Sequence, residues 1–268
     1  MKIMRHIGLR LDSEKEKTNF LDVGVEFTSD TKMPGGGIVA TIDLAEDDPR
    51  WRSIELLLGG RKTIDCVAST FSPADLNAAK FLRIVAKSGG YPQPEEKNGY
   101  LSASYDLTEY CPHCGIGKKQ VEPLRLKGPP ALTDNSILQL NWIFDEFFVS
   151  RTTWEEVFKP LGIGMRPAVL HRTGAEITSV VQLDAPDVCD LAIDKTIYAE
   201  CHFCGRKKYS PVFRGFLPVP IGPNAAIVKS SQSFGSGALA FKLVLVSGAV
   251  YKKFKEVSLK GAKFWACE

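Results

Sequence analysis

Cys111-Pro112-His113-Cys114-Gly115 and Cys201-His202-Phe203-Cys204-Gly205 are one pattern written twice: two cysteines two residues apart, then a glycine. A Cys-x-x-Cys step folds as a tight turn whose backbone amides point at sulfur, and the glycine supplies the positive φ on which the turn closes. Two such turns present four thiolates. That number fills a tetrahedral shell and leaves no position for a substrate water, so Cys111, Cys114, Cys201 and Cys204 are expected to hold one structural metal ion. Zinc is the preferred ion, because thiolates are soft ligands that it accepts without redox demands. Iron is the alternative, since rubredoxin-like centres use the same paired turns, and reversible disulfides are a further one. His113 and His202, inside the turns, are expected at the surface rather than among the ligands.

Outward from the knuckles, residues 115–200 are too long a connection for a simple ribbon loop and read as an insertion with structure of its own. Within it, Ile137 to Val149, including Trp142, is apolar enough to be strand or helix. Thr152-Thr153-Trp154-Glu155 has the capping-box pattern of a short helix ending before Pro160. Arg166 to His171 and Ile177 to Leu183 flank Arg172-Thr173-Gly174 as a hairpin. After the second knuckle, the prolines of Pro211 to Pro223 predict irregular chain. A strand over Leu243 to Val246, a helix capped by Ser247 with Val250, Phe254 and Val257 on one face, and a strand at Phe264-Trp265 follow.

On the N-terminal side, Ile7 to Leu11 and Phe20 to Phe27 alternate like half-buried strands around a charged turn at Ser13 to Thr18, and Ile38 to Ile42 is β-branched. Asp48-Pro49 opens a short helical piece carrying Trp51, Ile54 and Leu57. Ser72-Pro73-Ala74-Asp75 starts a helix expected to run to Lys87 and stop at Gly89-Gly90; a polar connection, Tyr91 to Gly99, then leads to a strand-like Tyr100 to Leu107. The expected class is α+β, β-rich, with a zinc-ribbon-type knuckle pair and a few short helices. Two regions are expected: an N-terminal α+β region over 1–100, and a zinc-ribbon region over 101–268 that carries the insertion and packs with the first as one unit.

The composition is that of an ordinary soluble globular chain of 268 residues, 44% hydrophobic and 24% charged. No window holds the roughly 18 uncharged apolar residues of a membrane span. The opening Met1 to His6 does not read as a secretory signal, which makes a cytoplasmic location the default expectation. Without export, paired cysteines favour metal over a disulfide framework. Cys66, Cys189 and Cys267 are scattered and read as buried or free thiols.

The net charge of +3 neither demands nor excludes a polyanion. Basic residues do gather beside the knuckles: Lys118, Lys119, Arg206, Lys207 and Lys208 form a candidate nucleic-acid-binding patch, with Arg125, Lys127 and Arg214 further along. No catalytic constellation is visible. His6 and His171 lack the glutamate of a deaminase His-x-Glu, there is no His-Glu-x-x-His, and Gly115 to Lys118 lacks phosphate-loop spacing.

The paired Cys-x-x-Cys-Gly, the segments Trp142 to Phe148 and Trp154 to Gly162, and the ending Leu259-Lys260-Gly261-Ala262-Lys263-Phe264 resemble the bacterial double-CXXCG-motif proteins, over residues 105 to 268. That resemblance implies an immunity-like role, in which the chain neutralises a partner protein by binding it, without catalysis.

Overall fold

The computed structural model describes residues 1–86, 99–133, 135–141, 143–193, 196–211 and 213–268. They fall into two compact units: Met1–Ser72 with Val212–Phe216, and Pro73–Pro211 with Leu217–Glu268.

The first unit runs β1 (Lys2–Leu11), α1 (Glu14–Asp22), β2 (Phe27–Lys32), β3 (Ile38–Ala45), α2 (Trp51–Leu58), β4 (Ile64–Thr70). Its sheet has the order β2-β3-β1-β4, and every adjacent pair is antiparallel. This is the split βαβ, ferredoxin-like arrangement. Period-2 burial along β3 sends Ile38, Ala40, Ile42 and Leu44 to the helix side, where they meet Ile7, Leu9 and Leu11 of β1, Phe20 of α1 and Ile54 of α2. Two sequence expectations are corrected here. The charged stretch after Ser13 is a helix, and Phe20 belongs to it rather than to a strand. Ser13 caps that helix by accepting from the Glu16 amide at 3.3 Å, while Glu16 Oε2 accepts from the Asp12 amide at 2.8 Å, a near capping box.

The second unit begins with α3 (Pro73–Ala78) and β5 (Phe81–Ala86). The predicted helix therefore stops a turn and a half after its proline. Phe81-Leu82-Arg83-Ile84-Val85 becomes a central strand, because pairing on both edges and burial outweigh local helix propensity. Lys87 to Gly90, the connection as far as residue 98, and Trp142 lie outside the described residues. Tyr100 to Leu107 is also corrected: α4 (Tyr100–Ser104) comes first, and only β6 (Tyr105–Asp106) is extended.

Next come β7 (Lys119–Gln120), β8 (Leu124–Leu126), β9 (Ile137–Leu140), β10 (Ile143–Ser150) and α5 (Arg151–Thr153), which continues as a π turn (Trp154–Phe158) and a 3-10 turn (Lys159–Leu161). The cap of this helical run is Ser150, whose hydroxyl accepts from the Thr153 amide, and not Thr152. The hairpin β11 (Met165–Leu170) and β12 (Glu176–Leu183) follows as expected. The chain ends with β13 (Val188–Cys189), β14 (Tyr198–Glu200), β15 (Lys207–Tyr209), β16 (Ile227–Ser230), β17 (Ser233–Phe234), β18 (Val244–Ser247), α6 (Gly248–Glu256) and β19 (Ala262–Ala266).

Two five-stranded sheets, β8-β11-β12-β10-β9 and β13-β16-β18-β5-β19, dominate this unit. Phe147, Val149, Val181 and Leu183 of the first share one core with Leu82, Ile84, Val244 and Val246 of the second and with Val250, Tyr251 and Phe254 of α6. The other face of the first sheet is also covered, with Phe148, Val180 and Leu124 packed on Tyr100 and Tyr105. Burial on both faces explains the consecutive apolar residues Phe147, Phe148 and Val149 of β10, which hide the alternation that marks a half-exposed strand. The molecule is thus β-rich with a few short helices. None of the described helices is long and apolar enough to cross a membrane.

Candidate metal centre

Each knuckle sits in the mouth of a short hairpin. Cys111 to Gly117 joins β6 to β7, and Cys201 to Arg206 joins β14 to β15. The backbone bonds are the same in both. The Gly115 amide donates to Cys111 O at 2.8 Å and the Cys111 amide to Ile116 O at 2.9 Å; Gly205 donates to Cys201 O at 2.8 Å and Cys201 to Arg206 O at 3.0 Å. Gly115 and Gly205 have φ of +77° and +69°, as the turn requires. At Gly115 the need is double, since a Cβ would lie 2.2 Å from Ala238 O, whereas nothing lies near Gly205.

The two turns meet although 90 positions separate equivalent cysteines. Cys111 Sγ is 3.9 Å from Cys201 Sγ, Cys114 Sγ is 3.7 Å from Cys204 Sγ, and all four sulfurs lie within 4.8 Å of one another. A disulfide requires about 2.05 Å, so these are not bonded pairs. A tetrahedral ion with metal–sulfur bonds of about 2.3 Å spaces its ligands about 3.8 Å apart, which these two cross-knuckle pairs match. The donor set therefore fits a single ion held by sulfur alone.

The surroundings favour thiolate on one side. Cys111 and Cys114 are buried; Cys201 and Cys204 are half-exposed. The Arg206 amide, together with its guanidinium Nε at 3.4 Å from Cys204 Sγ, holds that thiol down to about 6, while burial pushes Cys114 up to about 12. A bound cation supplies the charge that a buried thiolate lacks. Lys208 Nζ donates to Cys114 O at 2.8 Å, to Leu239 O at 3.1 Å and to Gly237 O, and Arg206 reaches Glu109 O at 2.7 Å. The second hairpin thus clamps the first knuckle independently of the sulfurs.

The five cations grouped in sequence do not share one role. Lys208 is buried, and its ammonium is saturated by three carbonyls. Arg206 is tied to Cys204 and Glu109. Lys207 lies over the Tyr198 ring at 4.5 Å, and Lys118 over Tyr105 at 5.1 Å. Lys118 and Lys119 line a different cavity from Arg206 and Lys208. Buried Lys208 is therefore removed from any phosphate-binding surface. His113 and His202 are exposed, and neither joins the sulfur cluster; His113 stacks on Phe203 with ring centroids 3.4 Å apart.

Of the remaining thiols, Cys189 and Cys267 are buried and Cys66 is exposed. Cys66 stands opposite His6 in the β1–β4 register, and His6 Nδ1 lies 2.7 Å from Asp43 Oδ1 on the adjoining strand. Sequence gave no sign of this row, because its members are 60 and 37 positions from His6 and only strand pairing unites them.

Compared with known proteins, the chain matches no family model, no curated sequence and no solved structure.

Proposed function

We propose that this chain is a structural-zinc protein that works by binding a partner rather than by catalysis. The observation that carries the metal half of this reading is the pair of sulfur separations, 3.9 and 3.7 Å, between knuckles from two hairpins. Four sulfurs within 4.8 Å of one another can close a tetrahedral coordination shell, which gives the ion the role of tying the hairpins together. Zinc is preferred to iron on ligand softness and absence of redox demand.

Two features support the binding half. Phe203, at the tip of the second knuckle, is 72% exposed and stacked on His113, which gives a rigid aromatic contact point beside the ion. The paired motif also resembles the double-CXXCG-motif proteins, which suggests immunity-like neutralisation of a partner protein. Nucleic-acid binding is the weaker alternative, because Lys208 and Arg206 are already bonded within the fold.

Elemental analysis of the purified chain tests the metal. One equivalent of zinc is expected; less than about half an equivalent of zinc or iron removes the reading. The partner is tested by co-expression with the product of any toxin-like reading frame beside the gene. A stoichiometric complex is expected, and loss of that complex in Phe203→Ala marks the tip as its contact.

A further inference from the structure

A cavity of about 470 Å³ opens beside the β6–β7 hairpin, within the size range of small-molecule sites. Among the described residues five cations reach it: Lys118, Lys119, Arg166, Lys229 and Lys242. Three acids face them, Asp145, Glu146 and Asp184, so the wall carries an excess of two positive charges.

The floor is built rather than incidental. Glu146 is buried, with Oε1 2.5 Å from Lys229 Nζ and Oε2 2.7 Å from Gln182 Nε2. Gln182 and Gln120 exchange amide bonds at 2.8 and 3.0 Å. Burial raises the Glu146 carboxyl, and Lys229 pulls it back. Such a buried ion pair is seldom better for stability than apolar packing, and a charged network of this kind in a cleft marks a candidate functional site. Two acids are already matched: Glu146 by Lys229, and Asp184 by Arg166 Nε at 2.8 Å. Asp145 accepts from the Lys242 backbone amide at 2.9 Å. Against this single remaining acid stand the ammonium groups of Lys118, Lys119 and Lys242, the last of which also donates to Ser231 O at the cavity wall.

We propose that this cavity binds a small phosphomonoester, whose dianionic phosphate is held by Lys118, Lys119 and Lys242 over the Glu146–Lys229–Gln182 floor. The charge excess matches a dianion, and charge-assisted bonds to phosphate are the strong ones. Among the described residues the lining has one aromatic ring, Tyr105, which is buried and faced by Lys118, so none of them presents a free ring to stack a nucleobase. This argues for a small ester rather than a nucleic acid. The hairpin that carries the first knuckle also delivers Tyr105, Lys118, Lys119 and Gln120 to the wall.

The inference goes beyond the metal reading and stands without it. A metal-free chain that binds phosphate fails the metal reading alone; a metal-loaded chain that does not bind phosphate fails the cavity alone. The test is calorimetric titration of the full chain with inorganic phosphate, glycerol 3-phosphate, glycerol and a single-stranded oligonucleotide. Saturable one-to-one binding of the two phosphates and none of glycerol is expected. Lys119→Gln, at an exposed position, should weaken both about tenfold with an unchanged melting temperature, and Lys242→Gln should do so by at least as much. Absence of saturable phosphate binding, parental affinity in both variants, or binding of the oligonucleotide alone overturns the proposal.

Discussion

Lys208 of the second knuckle's hairpin donates through Nζ to the backbone oxygen of Cys114 in the first knuckle, 94 positions away. The same ammonium also satisfies Gly237 O and Leu239 O. A buried lysine whose donors all meet carbonyls is structural, and its removal orphans three acceptors at once. Lys208→Met should therefore destabilise the metal-loaded protein by about 2–4 kcal/mol, given about 1–3 kcal/mol for a buried group left unpaired. Urea denaturation checks this, and parental stability in the variant would show that the clamp contributes nothing.

The ion itself should matter more. Where a site forms only in the folded state, metal-binding free energy is folding free energy, with apparent values of about 10–16 kcal/mol in zinc-finger peptides. Cys114→Ser or Cys201→Ser removes one of four ligands and should lower the melting temperature by about 10 °C or more, with loss of bound metal in elemental analysis. A strong chelator should move the parent toward the variants and leave the variants in place. If either variant melts like the parent, the ion is peripheral to the fold.

The two knuckle glycines provide a contrast that separates backbone conformation from space. Gly205 needs only its positive φ, so Gly205→Ala should cost about 1–2 kcal/mol. Gly115 needs the same φ and also the contact with Ala238 O, which no methyl group can share. Gly115→Ala should be markedly worse in both melting temperature and metal content. Equal effects at the two positions would mean that the first knuckle is not seated against residues 238–240.

These contrasts also show what sequence carries. The ligand set is legible because knuckle chemistry is local: residue types, spacing and glycine all lie within five positions. The β11–β12 hairpin and the α6 face are legible for the same reason. What goes unread depends on partners far along the chain. Phe81 to Ala86 becomes a strand because β18 and β19 flank it. Lys208 looks like surface charge until Cys114 O lies beside it, and the cavity draws its charges from β7, β10, β11 and β16 together. By contrast, α1 had a readable signal in Ser13-Glu14-Lys15-Glu16, a capping-box spacing that its charged composition obscured.

Acid should act on the first unit through Glu16. Side-chain bonds from Arg61 at 2.8 and 2.9 Å, and the Asp12 amide, hold its carboxyl down to about 2 from an ordinary 4.5. A carboxyl depressed in the folded state contributes stability that is present above its unfolded value and lost as pH falls through the folded one. Parent and Arg61→Gln should thus differ in urea midpoint at pH 6, converge between pH 4.5 and 2, and coincide below. A difference that persists well below pH 2 would assign the effect of Arg61 to its other contacts.

Thiol reactivity should follow the geometry in three steps. Cys66 is the exposed thiol, opposite His6, whose ring is oriented by the contact of its Nδ1 with Asp43. Cys201 and Cys204 are half-exposed but tied to the cluster, while Cys189 and Cys267 are buried, and burial pushes their thiols up to about 11 and about 12. Iodoacetamide should therefore modify Cys66 first in the metal-loaded protein. Cys201 and Cys204 should follow after chelation, and Cys189 and Cys267 should react only on unfolding. Peptide mass spectrometry reads the order directly. His6→Ala should slow the first step without altering the later ones if the histidine acts on the thiol, whereas an unchanged rate would assign the reactivity of Cys66 to exposure alone.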